Sequence, residues 1–344
     1  MHSEQFKFCV DILPAVSRTF AINIRILKGD LHKSVLCAYL FCRIVDTAED
    51  SEHLSYEQRA ELLESYKEIF AKSTFDPGSI RDWLTNWGEL DATVAEYRLI
   101  ANLQTVVEVF TQLPAPVRLI VQACVVEMAD GMSATVTRKH QLGEKLFTLA
   151  NMADLENYCH YVAGTVGKML TDLFVFYLPE FPANHAEKLR TLGPAFALGL
   201  QMTNIIKDCH SDYLRGWCYL PADLMLSHGV EPSDFFKPAF RRPAQSTLND
   251  LIKKTAGCLD DAFEYTLTIP SSQPRLRLFN LLSLFFAIRT LRLAWDNPAL
   301  LNGKVRVKIS RFEVYSIMAQ TSICVRSDTL LRKLYERTAK MIPR

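Results

Sequence analysis

Apolar residues recur with a helical period along almost the whole chain, and strict alternation is rare. The strongest runs predict helices over 31–52, 56–73, 117–132, 154–178, 186–211, 245–267 and 275–294, with a last one opening at Ser310. The punctuation agrees. Thr74-Phe75-Asp76-Pro77-Gly78 reads as a turn, and Pro116 as a first-turn proline. A polar stretch over 135–143 interrupts the pattern, Pro179 stops it, and 212–221 reads as a loop. Ser310-Arg311-Phe312-Glu313 has the form of a capping box. Val305-Arg306-Val307-Lys308 alternates, but is too short to argue for a sheet. No repeat, low-complexity linker or composition break divides the chain. The expected architecture is one all-α domain over 1–344, a helical bundle.

Composition narrows the class. With 344 residues, 49% of them hydrophobic, the chain can bury a large core. A net charge of +1 gives no footprint for nucleic acid. Nine cysteines are scattered singly with no C-x-x-C, which reads as reduced, buried thiols of a cytosolic protein. Met1-His2-Ser3-Glu4-Gln5 carries no signal-peptide pattern, and the longest apolar run, 281–288, is too short to span a bilayer. The expectation is a cytoplasmic protein without a transmembrane anchor, with peripheral membrane contact left open and a monomer as the simplest assembly. No P-loop, no dinucleotide-binding glycine fingerprint and no H-E-x-x-H occurs. The eight histidines lack zinc-ligand spacing, so His160 and His210 read as packing or helix-surface residues.

Two acidic clusters carry the candidate chemistry: Asp46-Thr47-Ala48-Glu49-Asp50 and Asp208-Cys209-His210-Ser211-Asp212. Each places carboxylates at i and i+4, on one helix face, where like charges repel. Alone, such a pair is most often a solvated face. The neighbours argue otherwise. The first cluster follows Val35-Leu36-Cys37-Ala38-Tyr39-Leu40-Phe41-Cys42, and Tyr39, Arg43, Asp46 and Asp50 share one stripe. The second follows Phe196-Ala197-Leu198-Gly199-Leu200, with Gln201, Asn204, Asp208 and Asp212 on one stripe. Polar stripes on apolar helices are costly unless something pairs with them. Facing clusters of this kind suit hard divalent cations, and carboxylate-held Mg²⁺ leaves room for substrate phosphates. The expected chemistry is therefore on a diphosphate.

A third helix reads Tyr158-Cys159-His160-Tyr161-Val162-Ala163-Gly164-Thr165-Val166-Gly167. Interior glycines cost about 1 kcal/mol each relative to alanine. Two readings stand side by side: close helix–helix packing, or space beside Val162 and Val166 for a long apolar ligand. Tyr158 and Tyr161 lie near the same face, where a buried tyrosine is more often a core residue.

Five ordered stretches make the chain resemble the squalene/phytoene synthase family, the head-to-head prenyl transferases. They are Ser17-Arg18-Thr19-Phe20, the segment from Tyr39 through Asp50, Tyr158 through Gly164, Gln201 through Asp212, and Arg215-Gly216-Trp217-Cys218-Tyr219-Leu220-Pro221. The resemblance runs from about Ser17 to the last helix. It implies an isoprenoid-synthase-like bundle whose central cavity takes two farnesyl diphosphates. It further implies Mg²⁺ bridging the donor diphosphate to Asp46, Asp50, Asp208 and Asp212, with Glu49 as a supporting acid. Arg18 and Arg43 would grip phosphate oxygens, and Gln201 and Asn204 would orient diphosphate or metal-bound water. Ionisation of the donor and attack on the second chain would give a cyclopropylcarbinyl diphosphate, presqualene diphosphate, with Tyr158 assisting proton loss. Tyr39 belongs with the substrate contacts, and Phe20, Val162 and Val166 are candidate walls of a dry cavity.

The final step divides the family. The squalene branch quenches its last cation with hydride from NADPH; the dehydrosqualene and phytoene branch loses a proton instead. The Asp-Thr-x-Glu-Asp motif, Tyr158-Cys159-His160-Tyr161 and Val305-Arg306-Val307-Lys308 resemble the squalene branch. The Arg215–Pro221 stretch is nearer to phytoene synthases, and Ser211 stands where many squalene synthases carry an acid. Lys207, Arg215, Arg306 and Lys308 are the NADPH contacts implied, with ordinary solvated basic residues as the plain alternative. The expectation is a soluble, bacterial-type, squalene-forming member. The rivals are a dehydrosqualene or phytoene synthase and a class I terpene cyclase, because Asn204, Asp208 and Asp212 mimic a metal triad. A silent isoprenoid-binding protein is a third, against which the four aspartates argue.

Overall fold

A computed structural model describes residues 3–17, 19–51, 53–143, 145–178, 182–303, 307–339 and 342. It is all-α, as the periodicity requires. The chain divides into two compact units, residues 1–141 with 168–181 and residues 142–167 with 182–344.

In the first unit the helices are α1 (Glu4–Val16), α2 (Thr19–Ile24), α3 (Gly29–Asp50), α4 (Tyr56–Ala71), α5 (Pro77–Thr85), α6 (Ala95–Ala101), α7 (Leu103–Thr111) and α8 (Ala115–Leu142). α3 is the central element and packs on α1, α4, α6 and α7. Its apolar residues are buried almost all round, and Phe41 meets Phe70 and Phe110 edge-on at 4.7 and 5.2 Å. A Ser55–Gln58 capping box starts α4, and Asp76 caps α5 through the amides of Gly78 and Ser79. The turn expected at 74–78 is thus the entry to a helix.

α8 continues through the polar stretch expected to interrupt it. Val136 and Lys139 are buried there, and Thr135 returns its hydroxyl to the Gly131 carbonyl at 2.9 Å. The helical period persists at residues too polar to reveal it. By length and composition α8 could cross a membrane, but half of its most apolar stretch is buried in the protein, as in a core helix.

The second unit contains β1 (Phe147–Leu149), α9 (Met152–Cys159), a π turn (His160–Gly164) and the start of α10 (Thr165–Tyr177), most of which belongs to the first unit. Then follow α11 (Ala183–Leu214), β2 (Trp217–Pro221), α12 (Ala222–Ser227), α13 (Arg241–Thr268), α14 (Pro274–Ala294), α15 (Arg311–Cys324) and α16 (Asp328–Ala339). α11 packs most extensively on α13, where Gly199 brings the backbones close; a Cβ there would stand 2.8 Å from the Leu259 side chain.

The loop expected over 212–221 is corrected. α11 runs to Leu214, and β2 pairs in parallel with β1. Gly216, at φ +81°, makes the left-handed turn between helix and strand. β2 is buried on both sides and only five residues long, so no alternation betrays it. The Ser310 capping box opens α15 as expected, but α16 follows it. All nine cysteines are free, seven of them buried.

Candidate functional site

On the C-terminal half of α3, apolar packing leaves one stripe open. From Ser34 to Asp50, only Tyr39, Arg43, Asp46 and Asp50 escape burial, and Asp50 is exposed. Every other residue of that stretch faces protein, so these four are held on a rigid rod. Arg43 donates to Glu96 of α6 at 2.9 Å and lies 3.9 Å from an Asp46 oxygen. Burial alone would lower the Arg43 pKa, but Asp46 and Glu96 outweigh it and raise it. Desolvation pushes the Asp46 carboxyl up to about 7, with Arg43 pulling it down and Asp50 pushing it further up. Two carboxylates on one face strain against each other in the absence of a cation.

Tyr39 is held by its hydroxyl, 3.5 Å from the Val16 carbonyl, and its ring meets Phe20 at 5.8 Å. Burial raises its pKa to about 12, so it stays a phenol. Phe20 is partly exposed beside it. Arg18 lies outside the described residues. Glu49 is buried on α3, off the open stripe.

In the second unit, α11 presents Gln201, Asn204 and Asp208 at least partly open, whereas Asp212 is buried. Lys207 donates to Asn204 at 3.3 Å and lies 3.1 Å from an Asp208 oxygen. Arg215 donates to Asp212 at 2.9 Å. Two of the residues expected to contact NADPH are therefore engaged with the second acidic motif. Lys308 is exposed, and Arg306 lies outside the described residues. Ser211 donates its hydroxyl to the Asp208 carbonyl at 2.8 Å.

The helix expected over 154–178 is broken in register by the π turn at His160–Gly164, where the Thr165 amide reaches back to the His160 carbonyl. Such single π turns recur at functional sites. Tyr158 precedes it, half-buried and stacked on Tyr219 of β2, with centroids 4.5 Å apart. Tyr219 in turn stacks on Trp217 at 5.7 Å. Val162 and Val166 are half-buried. Of the two readings of the glycines, Gly167 follows close packing: a Cβ there would meet the Ala197 Cβ at 3.0 Å and the Gly193 carbonyl at 3.2 Å. At Gly164 a Cβ would meet the His160 ring at 3.0 Å. Glu96 and Tyr219 are the partners that periodicity did not reveal. Glu96 sits on a seven-residue helix with no pattern of its own, while Tyr219 lies inside a quoted motif whose stacking only the strand pairing creates.

Among the described residues no cluster of three or more His, Cys, Asp or Glu side chains stands ready to hold an ion alone. The donor set still fits Mg²⁺, which binds through one or two carboxylates and takes the rest of its shell from phosphates and water. Asp46 with Asp50, and Asp208 with Asp212, are such pairs.

The squalene/phytoene synthase family model matches residues 13–313, and the chain belongs to that family. Squalene synthase ERG9 of Saccharomyces cerevisiae is 26% identical over 302 residues, covering 87% of this chain and 64% of the yeast protein. Squalene synthase of Mus musculus is 26% identical over 310 residues, covering 89% and 68%. The structure of TcSQS in complex with the ligand E5700 superposes with a TM-score of 0.81 at 24% identity, covering 99% of this chain and 92% of that one. A dehydrosqualene synthase in complex with a ligand gives 0.62 at 22% identity, covering 94% and 97%. At these identities the solved structures establish the fold.

Proposed function

We propose that the protein is a Mg²⁺-dependent squalene synthase. It condenses two farnesyl diphosphates head to head through presqualene diphosphate and reduces the product with NADPH. The observation that carries this reading is the open Tyr39–Arg43–Asp46–Asp50 stripe on an otherwise buried helix. Family membership and the squalene synthase relatives support it.

Asp46, Asp50, Asp208 and Asp212 are the carboxylates that would hold the metal; Glu49, expected to support them, is buried off the open stripe and does not join them. Bound Mg²⁺ supplies charge neutralisation on the leaving diphosphate, which lowers the barrier to allylic C–O cleavage. Arg43, kept charged by Glu96, and Arg18 bind phosphate oxygens. Gln201 and Asn204 orient the same group. Phe20, Tyr39, Val162 and Val166 exclude water from the cation. Tyr158, its ring stacked on Tyr219, is placed to assist loss of the proton as the cyclopropane closes. Lys207, Arg215, Arg306 and Lys308 are the residues that would hold NADPH, whose chemistry when bound is hydride donation.

A second reading has its own observation. Lys207 and Arg215 already neutralise Asp208 and Asp212, which leaves less of the basic set for a nicotinamide phosphate. That favours dehydrosqualene or phytoene formation without NADPH. Gas chromatography–mass spectrometry decides between them, with farnesyl diphosphate and Mg²⁺ supplied with and without NADPH. Squalene that requires NADPH is the expected result. Dehydrosqualene under both conditions overturns the reduction step and keeps the condensation. Absence of any C30 product, followed by phytoene from geranylgeranyl diphosphate, moves the substrate class.

A further inference from the structure

α15 is apolar on two sides but covered on one. It packs on α14 in the second unit. Its outward residues are Arg311, Phe312, Tyr315, Ala319, Ser322 and Ile323. Phe312 is 81% exposed, Tyr315 68% and Ile323 78%, three of the four most exposed large apolar side chains among the described residues. At about 100° per residue, positions 312, 315, 319, 322 and 323 fall within an arc of about 100°. That is the width of a stripe that usually faces a core. Scattered exposed apolar residues are ordinary; three large ones on one arc of a single helix, with only Ala319 and Ser322 between Tyr315 and Ile323 on that arc, are not.

The unpaired charges beside the stripe are basic, since the nearby Asp328 is engaged by Arg277 at 2.6 Å. Arg311 flanks its start and Arg326 stands just past its end, both exposed and neither paired with an acid among the described residues. The helix has a single acidic residue, Glu313. It is already engaged, accepting from the Ser310 amide at 2.9 Å and from Arg289 at 2.6 Å. The exposed surface of α15 therefore offers aromatic and aliphatic side chains bracketed by free guanidinium groups, with no carboxylate to repel an anion.

We propose that the outer face of α15 is a peripheral membrane-binding surface for anionic phospholipid bilayers. The helix lies in the plane of the interface. Phe312, Tyr315 and Ile323 enter the boundary between headgroups and acyl chains, and Arg311 and Arg326 contact lipid phosphates. Tyr315 suits this position because its ring is apolar and its hydroxyl polar. The proposal is independent of which product the enzyme forms.

The test is co-sedimentation of the full chain with phosphatidylcholine vesicles, with and without phosphatidylglycerol, at low and high salt. Binding to the phosphatidylglycerol vesicles, weakened by salt, is expected. Arg311→Gln and Arg326→Gln should each lower the partition coefficient about fivefold. The triple variant Phe312→Ser, Tyr315→Ser, Ile323→Ser should abolish binding while circular dichroism and diphosphate release stay as in the parent. Equal sedimentation of parent and triple variant overturns the proposal. So does a parent dimer by light scattering that the triple variant converts to monomer with no vesicle binding in either form, since the stripe then serves a second copy of the chain.

Discussion

The Tyr158 ring lies on the Tyr219 ring, with centroids 4.5 Å apart and 19° between the planes. The pairing joins a helix that ends in a π turn to a strand that follows the second acidic motif. Stacking of this kind is worth about 0.5–1.5 kcal/mol beyond the area it buries. Its larger consequence is to restrict rotation of the Tyr158 ring. Tyr219→Phe keeps the stack and should retain turnover within a few-fold. Tyr219→Ala frees the Tyr158 ring and should lower kcat about tenfold or more with little change in KM. Steady-state diphosphate release separates the two, and equal activity of both variants would remove Tyr219 from the positioning of Tyr158.

Asp46→Asn and Asp208→Asn test the metal assignment. Each swap keeps the shape of the side chain and removes one charge. Asp46 sits in a desolvated place beside Asp50, so losing its charge relieves repulsion, and Tm without metal should equal or exceed that of the parent. Diphosphate release should fall at least about a hundredfold in both variants. The two measurements belong together: lost activity with an intact melt marks a functional carboxylate, whereas normal turnover in both variants ends the assignment.

The long helices were legible because their apolar stripes extend over many turns. α3 begins and ends within two residues of its expected bounds, and α14 starts one residue early. α5, α6 and α7, with nine, seven and nine residues, show too few turns to reveal a period, and packing makes them. The site divides the same way. Tyr39, Arg43, Asp46 and Asp50 stood out as polar positions in apolar surroundings, a local contrast. The pairing of Arg43 with Glu96 joins residues 53 positions apart, and nothing local announces it. Likewise, β1 and β2 become a sheet only through each other.

Gly167 should tolerate no branched side chain. A Cβ there would already stand 3.0 Å from the Ala197 Cβ and 3.2 Å from the Gly193 carbonyl, and a backbone oxygen does not move cheaply. Gly167→Val should cost about 1–3 kcal/mol in urea unfolding. Combining Gly167→Ala with Ala197→Gly should recover part of the loss caused by Gly167→Ala alone, because the two positions share one contact. Additive effects would show that α10 makes room elsewhere, and the glycine would then answer to a ligand rather than to packing.

Acid should loosen α15 before it affects longer-buried helices. The Glu313 carboxylate accepts from the Ser310 amide and hydroxyl and pairs with Arg289, and these contacts lower its pKa to about 2. A carboxyl whose folded pKa lies below its unfolded one stabilises the fold only while ionised. Its contribution is thus complete above the ordinary value of 4.5 and declines as pH falls toward about 2. Glu313→Ala removes half of the capping box and should cost about 1 kcal/mol at neutral pH. That corresponds to a drop in Tm of about 2–4 °C. Thermal melts of parent and variant at pH values from neutral to about 2 should show the gap closing as Glu313 protonates. A gap that stays constant across that range would mean the side chain stabilises α15 by packing alone.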